Sequence, residues 1–320
     1  MKNTNRRQQN AIAVNHSLDS CFNRWTQLLQ VKHNTEIAYK KWARKFVDFC
    51  VNRQVSIPSA VDAVDFFNAL KSAPSQRRKG EHISPATVRL AITAVKQFVK
   101  FLRSEHILAD DITAWIKPPK VAEGHKKDAV SAADCKLVIL SFDTDNIFGA
   151  RNQAIVALMM LCGLRAIEVV RADCHDIVKR GNDTYLLVQG KGRDEKDACV
   201  KLPPQLIHII EHYLDLRGDR EGALFKSRKS NGDCRLDPAS VSRITKSAFR
   251  NVGIDSPRVT CHSCRHSAAT NALRAGVSIE HVQMMLRHKN ITTTFIYRHD
   301  LERQDNQAEL AVADSILGGV

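Results

Sequence analysis

The stretch "HVQMMLRHKNITTTFIYRHD", residues 281–300, sets the problem that the rest of the sequence has to solve. It places His288 nine residues before Tyr297 and flanks them with Arg287 and Arg298. A tyrosine in that company has three readings: a core aromatic, a neighbour of a metal, or a nucleophile. Leu286-Arg287-His288 reads as the end of one helix, and "KNITTTFIYRH" as the start of the next. That arrangement predicts that His288 and Tyr297 border one cavity.

Bulk properties narrow the field. The chain has 320 residues, enough for about two domains at roughly 150 residues each. Hydrophobic residues make up 43% and charged residues 26%, the mix of a globular protein with its own cores. No apolar run approaches the roughly 20 residues that a bilayer span needs. The N-terminal "MKNTNRRQQNAIAVNHS" carries no apolar stretch with a cleavage site, so a cytoplasmic, nucleoid-associated location is expected. Lys and Arg number 48 against 34 Asp and Glu, a net charge of +14. Such an excess favours a polyanionic partner, through phosphate neutralisation and counterion release.

The nine cysteines are odd in number and scattered, which fits buried thiols in a reducing compartment rather than a disulfide framework. Cys261 and Cys264, in "CHSC", form the one close pair. Structural zinc needs a second pair at fixed spacing, and the sequence has none. The helix-like "HIIEH", His208 to His212, resembles a zinc-peptidase helix in reverse order but lacks a third ligand and reads as an ordinary amphipathic stretch.

The pattern predicts a mainly α fold with a small antiparallel β-sheet, in two domains. Over residues 1–116, "TEIAYKKWARKFVDFCVNR" spaces Ile37, Trp42, Phe46, Phe49 and Cys50 for a helix face, and "VDAVDFFNALK" continues it. Ser84 and Pro85 open a further helix as cap and first position, with Val88, Ile92, Val95, Val99 and Leu102 as its apolar stripe. Residues 117–129, with two prolines, a glycine and four lysines, read as a basic linker. Residues 130–320 open with two buried helices, "SAADCKLVILS" and "ARNQAIVALMMLCGL". Short apolar runs split by "RGND" and "GKGRDEKD" then signal hairpins before helices resume.

Four clusters carry side chains suited to chemistry. Arg165 and Glu168, three apart, can share a helix face, either as a routine surface ion pair or as an arginine aimed by a carboxylate. Lys191 sits between two glycines at a hairpin tip, outside any Walker-type loop, and taken alone reads as a solvated turn residue that could also reach a ligand. His262, Arg265 and His266 fall within one helical turn, where an apolar core would not accept a cation and two imidazoles without a partner, which an anion such as a phosphate would supply. His288 and Tyr297 complete the series.

In that order, "GLRAIE", "GKGR", "HSCRHSAAT", "LRHKNITTT" and "IYRH" resemble the tyrosine recombinase (phage integrase) family of site-specific DNA recombinases. The resemblance spans essentially the whole chain, and five short motifs in the correct order make it specific. It departs at Arg287, where the family usually has glycine, and at Cys264, where leucine is usual. The resemblance implies a helical N-terminal core-binding domain and a catalytic domain. Tyr297 would be the nucleophile forming a 3′-phosphotyrosyl bond, Arg165 and Arg265 the grip on the phosphate oxygens, and His288 a further donor. His262 would accept the tyrosine proton and Lys191 protonate the leaving 5′-oxygen, with Glu168 a brace and His266 an orienting group.

No metal and no cofactor are expected, and no acidic cluster suited to an ion stands out in the sequence. Expected partners are double-stranded DNA core sites, accessory DNA-bending proteins and further copies of the chain. The C-terminal tail, with Asp300, Glu302, Asp305, Glu309 and Asp314 against Arg298 and Arg303, would be exchanged between protomers of a tetramer through Leu310, Val312, Ile316 and Leu317. No additional arm-site domain is expected, and the expectation is a two-domain enzyme on short inverted sites, integrating, excising or resolving a mobile element. The alternatives are a type IB topoisomerase and a DNA-binding protein without catalysis.

Overall fold

The computed structural model describes residues 17–75, 80–120, 128–190, 193–227, 235–304 and 306–317, with the side chains of Asp300, Arg303 and Gln304 left aside. The chain divides into two compact units, Met1–Glu123 and Gly124–Val320.

The first unit is built from α1 (Leu18–Leu28), α2 (His33–Asn52), α3 (Ala60–Ser72) and α4 (Pro85–Ser104). Three of the four starts carry a serine cap, and α2, which follows Lys32, has no side-chain cap. Ser17, Ser59 and Ser84 accept backbone N–H groups that the first turns leave unpaired, and Pro85 occupies the first turn of α4. The stripe Val88, Ile92, Val95, Val99 and Leu102 is fully buried, against Phe46, Phe67 and Phe98 among others. Ile37 departs from the expected face: it is 53% exposed, because it lies on the side of α2 opposite Trp42 and Phe46.

The second unit packs its core around α6 (Ile147–Cys162), which follows α5 (Ala132–Leu140) and is buried along nearly its whole length. A helix apolar all round belongs in the centre of a unit. The short α7 (Ala166–Arg171) leads to a three-stranded antiparallel sheet, β1 (Ile177–Arg180), β2 (Asp183–Val188) and β3 (Ala198–Leu202), in the order β1-β2-β3. Then come α8 (Pro204–Arg217), α9 (Pro238–Asn251), α10 (Cys261–Arg274), α11 (Ile279–Leu286), α12 (Thr292–Gln304) and α13 (Ala308–Leu317). Cys264 is a small buried filler of the main core, and His212 on α8 lies 3.0 Å through Nε2 from the Thr144 carbonyl oxygen. Among the described residues, no helix is long and apolar enough to cross a membrane.

Candidate active site

Arg165 is placed by a helix end on either side. Gly163 terminates α6 with a left-handed backbone, φ +62°. A side chain there would be strained, and its Cβ would stand 2.7 Å from Leu286 Cδ2, so only glycine lets the two segments approach. Two residues on, Arg165 is the N-cap of α7. Its backbone N–H donates to Glu168 Oε2 and its Nη1 to Glu168 Oε1, both at 2.8 Å. The three-residue spacing therefore works as a cap, with the carboxylate folded back over the arginine that precedes the helix.

Arg265 comes from the first turns of α10 and is 4% exposed. Its guanidinium donates to the carbonyls of Gly163 and Leu286, where α6 and α11 end. Carbonyl-rich helix C-termini are favourable ground for a cation that has lost its water. Burial, with Arg165 and Arg287 nearby, nonetheless pushes its pKa down to about 9, so it remains a cation at neutral pH. Glu168 is buried as well. Burial pushes its carboxyl up, but Arg287 and Arg165 outweigh that, and it lies below the usual range.

His288 and Tyr297 enter from α11 and α12. Arg287 ends α11 in the left-handed region, φ +56°, and turns the chain so that His288 follows at once. His288 Nδ1 lies 2.9 Å from the hydroxyl of Thr294, a fully buried residue one turn before Tyr297. Burial, followed by Arg265, Arg165 and Arg287, pushes the His288 pKa down to about 4, so its ring is neutral at neutral pH. Tyr297 is 6% exposed and packs against Ala269, Val282 and Leu286 of its own chain. Its ring meets His266 edge to face at 4.9 Å and lies nearly parallel to His288 at 6.3 Å. Burial raises the phenol's pKa, opposed by Arg265 and Arg165.

The structure thus brings Arg165, Glu168, Arg265, His266, His288 and Tyr297 around one place. His262 lies in the first turn of α10 and is exposed, whereas every residue from Ser263 to Thr270, Arg265 and His266 among them, is buried. Lys191 lies outside the described residues. Beside it, Gln189 Nε2 donates to the Arg193 carbonyl at 2.8 Å, and Arg171 from α7 donates to the Gly190 carbonyl at 3.2 Å.

Sequence reading missed two members. Thr294, the partner of His288, is signalled only by the unusual triple threonine before Phe295. Arg287 donates to Glu168 Oε2 at 2.7 Å across 119 positions, a pairing without any local signal. The sequence shows no acidic cluster suited to an ion, and the one grouping that forms among the described residues has its carboxylates taken up by cations. Asp173, His175 and Asp176 come together, although Lys196 pairs with both carboxylates, at 2.7 and 2.5 Å, and Arg235 with Asp173.

Residues 136–304 match the family described as the phage integrase family. The tyrosine recombinase XerA of Pyrococcus horikoshii is 29% identical over 308 residues, 96% of this chain and 98% of that protein. XerA of Pyrococcus furiosus is 31% identical over 268 residues, 82% of this chain and 84% of that protein. In fold, the chain is similar to a lambda integrase tetramer bound to a Holliday junction, with a TM-score of 0.66 and 15% identity over 88% of this chain and 77% of that one. A family match over more than half of the sequence, joined by a relative at 31% identity along most of both chains, leads to one conclusion: the chain belongs to the phage integrase family, the tyrosine recombinases, and is a DNA strand-transfer enzyme.

Proposed function

We propose that the chain cuts and rejoins double-stranded DNA at specific core sites through a 3′-phosphotyrosyl intermediate on Tyr297, in the integration, excision or resolution of a mobile element. The observation that carries this reading is the seating of the Tyr297 phenol between His266 and His288, beside two arginines whose charge acts on it. The oxygen of Tyr297 attacks phosphorus, the P–O5′ bond breaks, and the ester energy is kept for rejoining. Arg165 and Arg265 hold the non-bridging oxygens as charge builds on them. A phenol with a raised pKa needs a base, and His262 takes its proton, while Lys191 gives one to the leaving 5′-oxygen. Neutral His288, with Nδ1 as the acceptor of a hydrogen bond from the Thr294 hydroxyl, offers Nε2–H to the phosphate.

Assembly follows from α13. None of its described residues is buried, and Leu310, Val312, Ile316 and Leu317 are all more than half exposed. A cavity of about 540 Å³ is lined by Leu273, Val277, Ile279 and Leu301, together with Arg274 and the ion pair of Arg298 with Glu302. The apolar residues of α13 from a second copy would cover the apolar part of that lining, and the exchange would build a tetramer on DNA.

The test begins with a random-sequence duplex pool, from which Tyr297→Phe chain selects bound DNA. Wild-type chain should form a detergent-resistant, protease-sensitive adduct with the selected duplex, and Tyr297→Phe should bind it without forming one. An adduct of equal yield on Tyr297→Phe would contradict the assignment.

A further inference from the structure

Arg287 is the least expected residue of the site. Its backbone sits at φ +56° and ψ 41°, a conformation that strains any residue carrying a side chain and that glycine adopts freely. Helices that end this way favour glycine, so an arginine here needs a compensating contact. The contacts are specific. Nη2 donates to Glu168 Oε2 at 2.7 Å, Nη1 donates to the Met285 carbonyl at 2.6 Å, and the side chain is only 11% exposed. Both of its terminal nitrogens are thus held, while Nε is buried without a protein acceptor.

Glu168 is the other half of the arrangement. Its Oε2 serves the Arg165 backbone and Arg287, and its Oε1 serves the Arg165 guanidinium. One fully buried carboxylate thus joins the residue that opens α7 to the residue that closes α11, immediately before His288. Arg265 fastens the same two segments from behind, through the Gly163 and Leu286 carbonyls. Three guanidiniums against one carboxylate leave these four side chains with a net charge of two positive units. Without Arg287, Glu168 would be spent on Arg165 alone, and one positive charge would be lost beside the place where the phosphate gathers negative charge.

We infer that Arg287 is a positioning residue for DNA cleavage: by sharing Glu168 with Arg165 it fixes Arg165 and His288 relative to each other, and it leaves Arg165 charge free for the scissile phosphate. The inference rests on the recombinase reading above. It goes beyond it, because the cleavage roles assigned there need no residue at position 287.

The experiment measures single-turnover adduct formation on the pool-selected duplex, together with duplex affinity and melting temperature. Arg287→Gly relieves the backbone strain, so it should fold and melt within a few degrees of wild type. Its affinity for the duplex should change little, while its cleavage rate should fall about tenfold or more, the pattern of an interaction used in the transition state. Arg287→Lys should recover part of that rate and Arg287→Met none. Glu168→Gln combined with Arg287→Gly should be no slower than Glu168→Gln alone, since the two act as one unit. Wild-type cleavage by Arg287→Gly would overturn the inference, as would strictly additive losses in the double variant. Absence of an adduct from wild type would instead bring down the recombinase reading, and this inference with it.

Discussion

At the scale of single residues, the site is an exercise in keeping charges and protons where water cannot help. Lys191 and His288 give two separable tests. If Lys191 protonates the leaving oxygen, Lys191→Ala should slow cleavage by about 10²–10⁴-fold, the span usual for a positioned acid. A duplex with sulfur in place of the scissile 5′-oxygen leaves without that proton, and on it Lys191→Ala should cleave at close to the wild-type rate; equal defects on both duplexes would remove Lys191 from the role. His288 is faced by Arg165, Arg265, Arg287 and Glu168, and its pKa of about 4 in the fold lies below its ordinary 6.5. The unfolded chain therefore takes up a proton below about pH 6.5 that the folded chain refuses until about pH 4. Stability attributable to this group is complete above that window and declines as pH falls through it. Melting temperatures of wild type minus His288→Asn should drop between those two values, and parallel curves would contradict the neutral-histidine assignment.

Among the elements, legibility followed locality. The helices α2, α3 and α4 could be read from their apolar stripes, and the start of α4 from Ser84 and Pro85, because those signals act within a few residues of each other. The hairpins around "RGND" and "GKGRDEKD" could be read from turn chemistry, and Tyr297 and His288 from adjacent helices. What could not be read is long-range or positional: the Glu168–Arg287 pair, the exposure of His262 one turn before buried His266, and the outward side of Ile37. Those depend on where each element meets its neighbours, which no window of sequence contains. The tail helix α13 belongs to this scale too. Since none of its described residues is buried, truncation after Gln304 should alter stability by no more than about 0.5 kcal/mol, as for other surface changes. The same truncation should leave adduct formation intact while abolishing tetramers on DNA, measured by light scattering of the complex. A tetramer that persists would place the assembly contact elsewhere.

For the whole molecule, a net charge of +14 and a family of strand-transfer enzymes agree that DNA is the substrate to which the site is addressed. The central claim is that one phenol, gathered with two arginines and two histidines, carries the broken strand. Nuclease and tryptic digestion of the wild-type adduct, followed by mass spectrometry, tests it at the atom concerned. The account predicts a nucleotide attached through its 3′-phosphate to the peptide Asn290–Arg298, which holds Tyr297 as its only tyrosine. A nucleotide on any other peptide, or one joined through a 5′-phosphate, would contradict it.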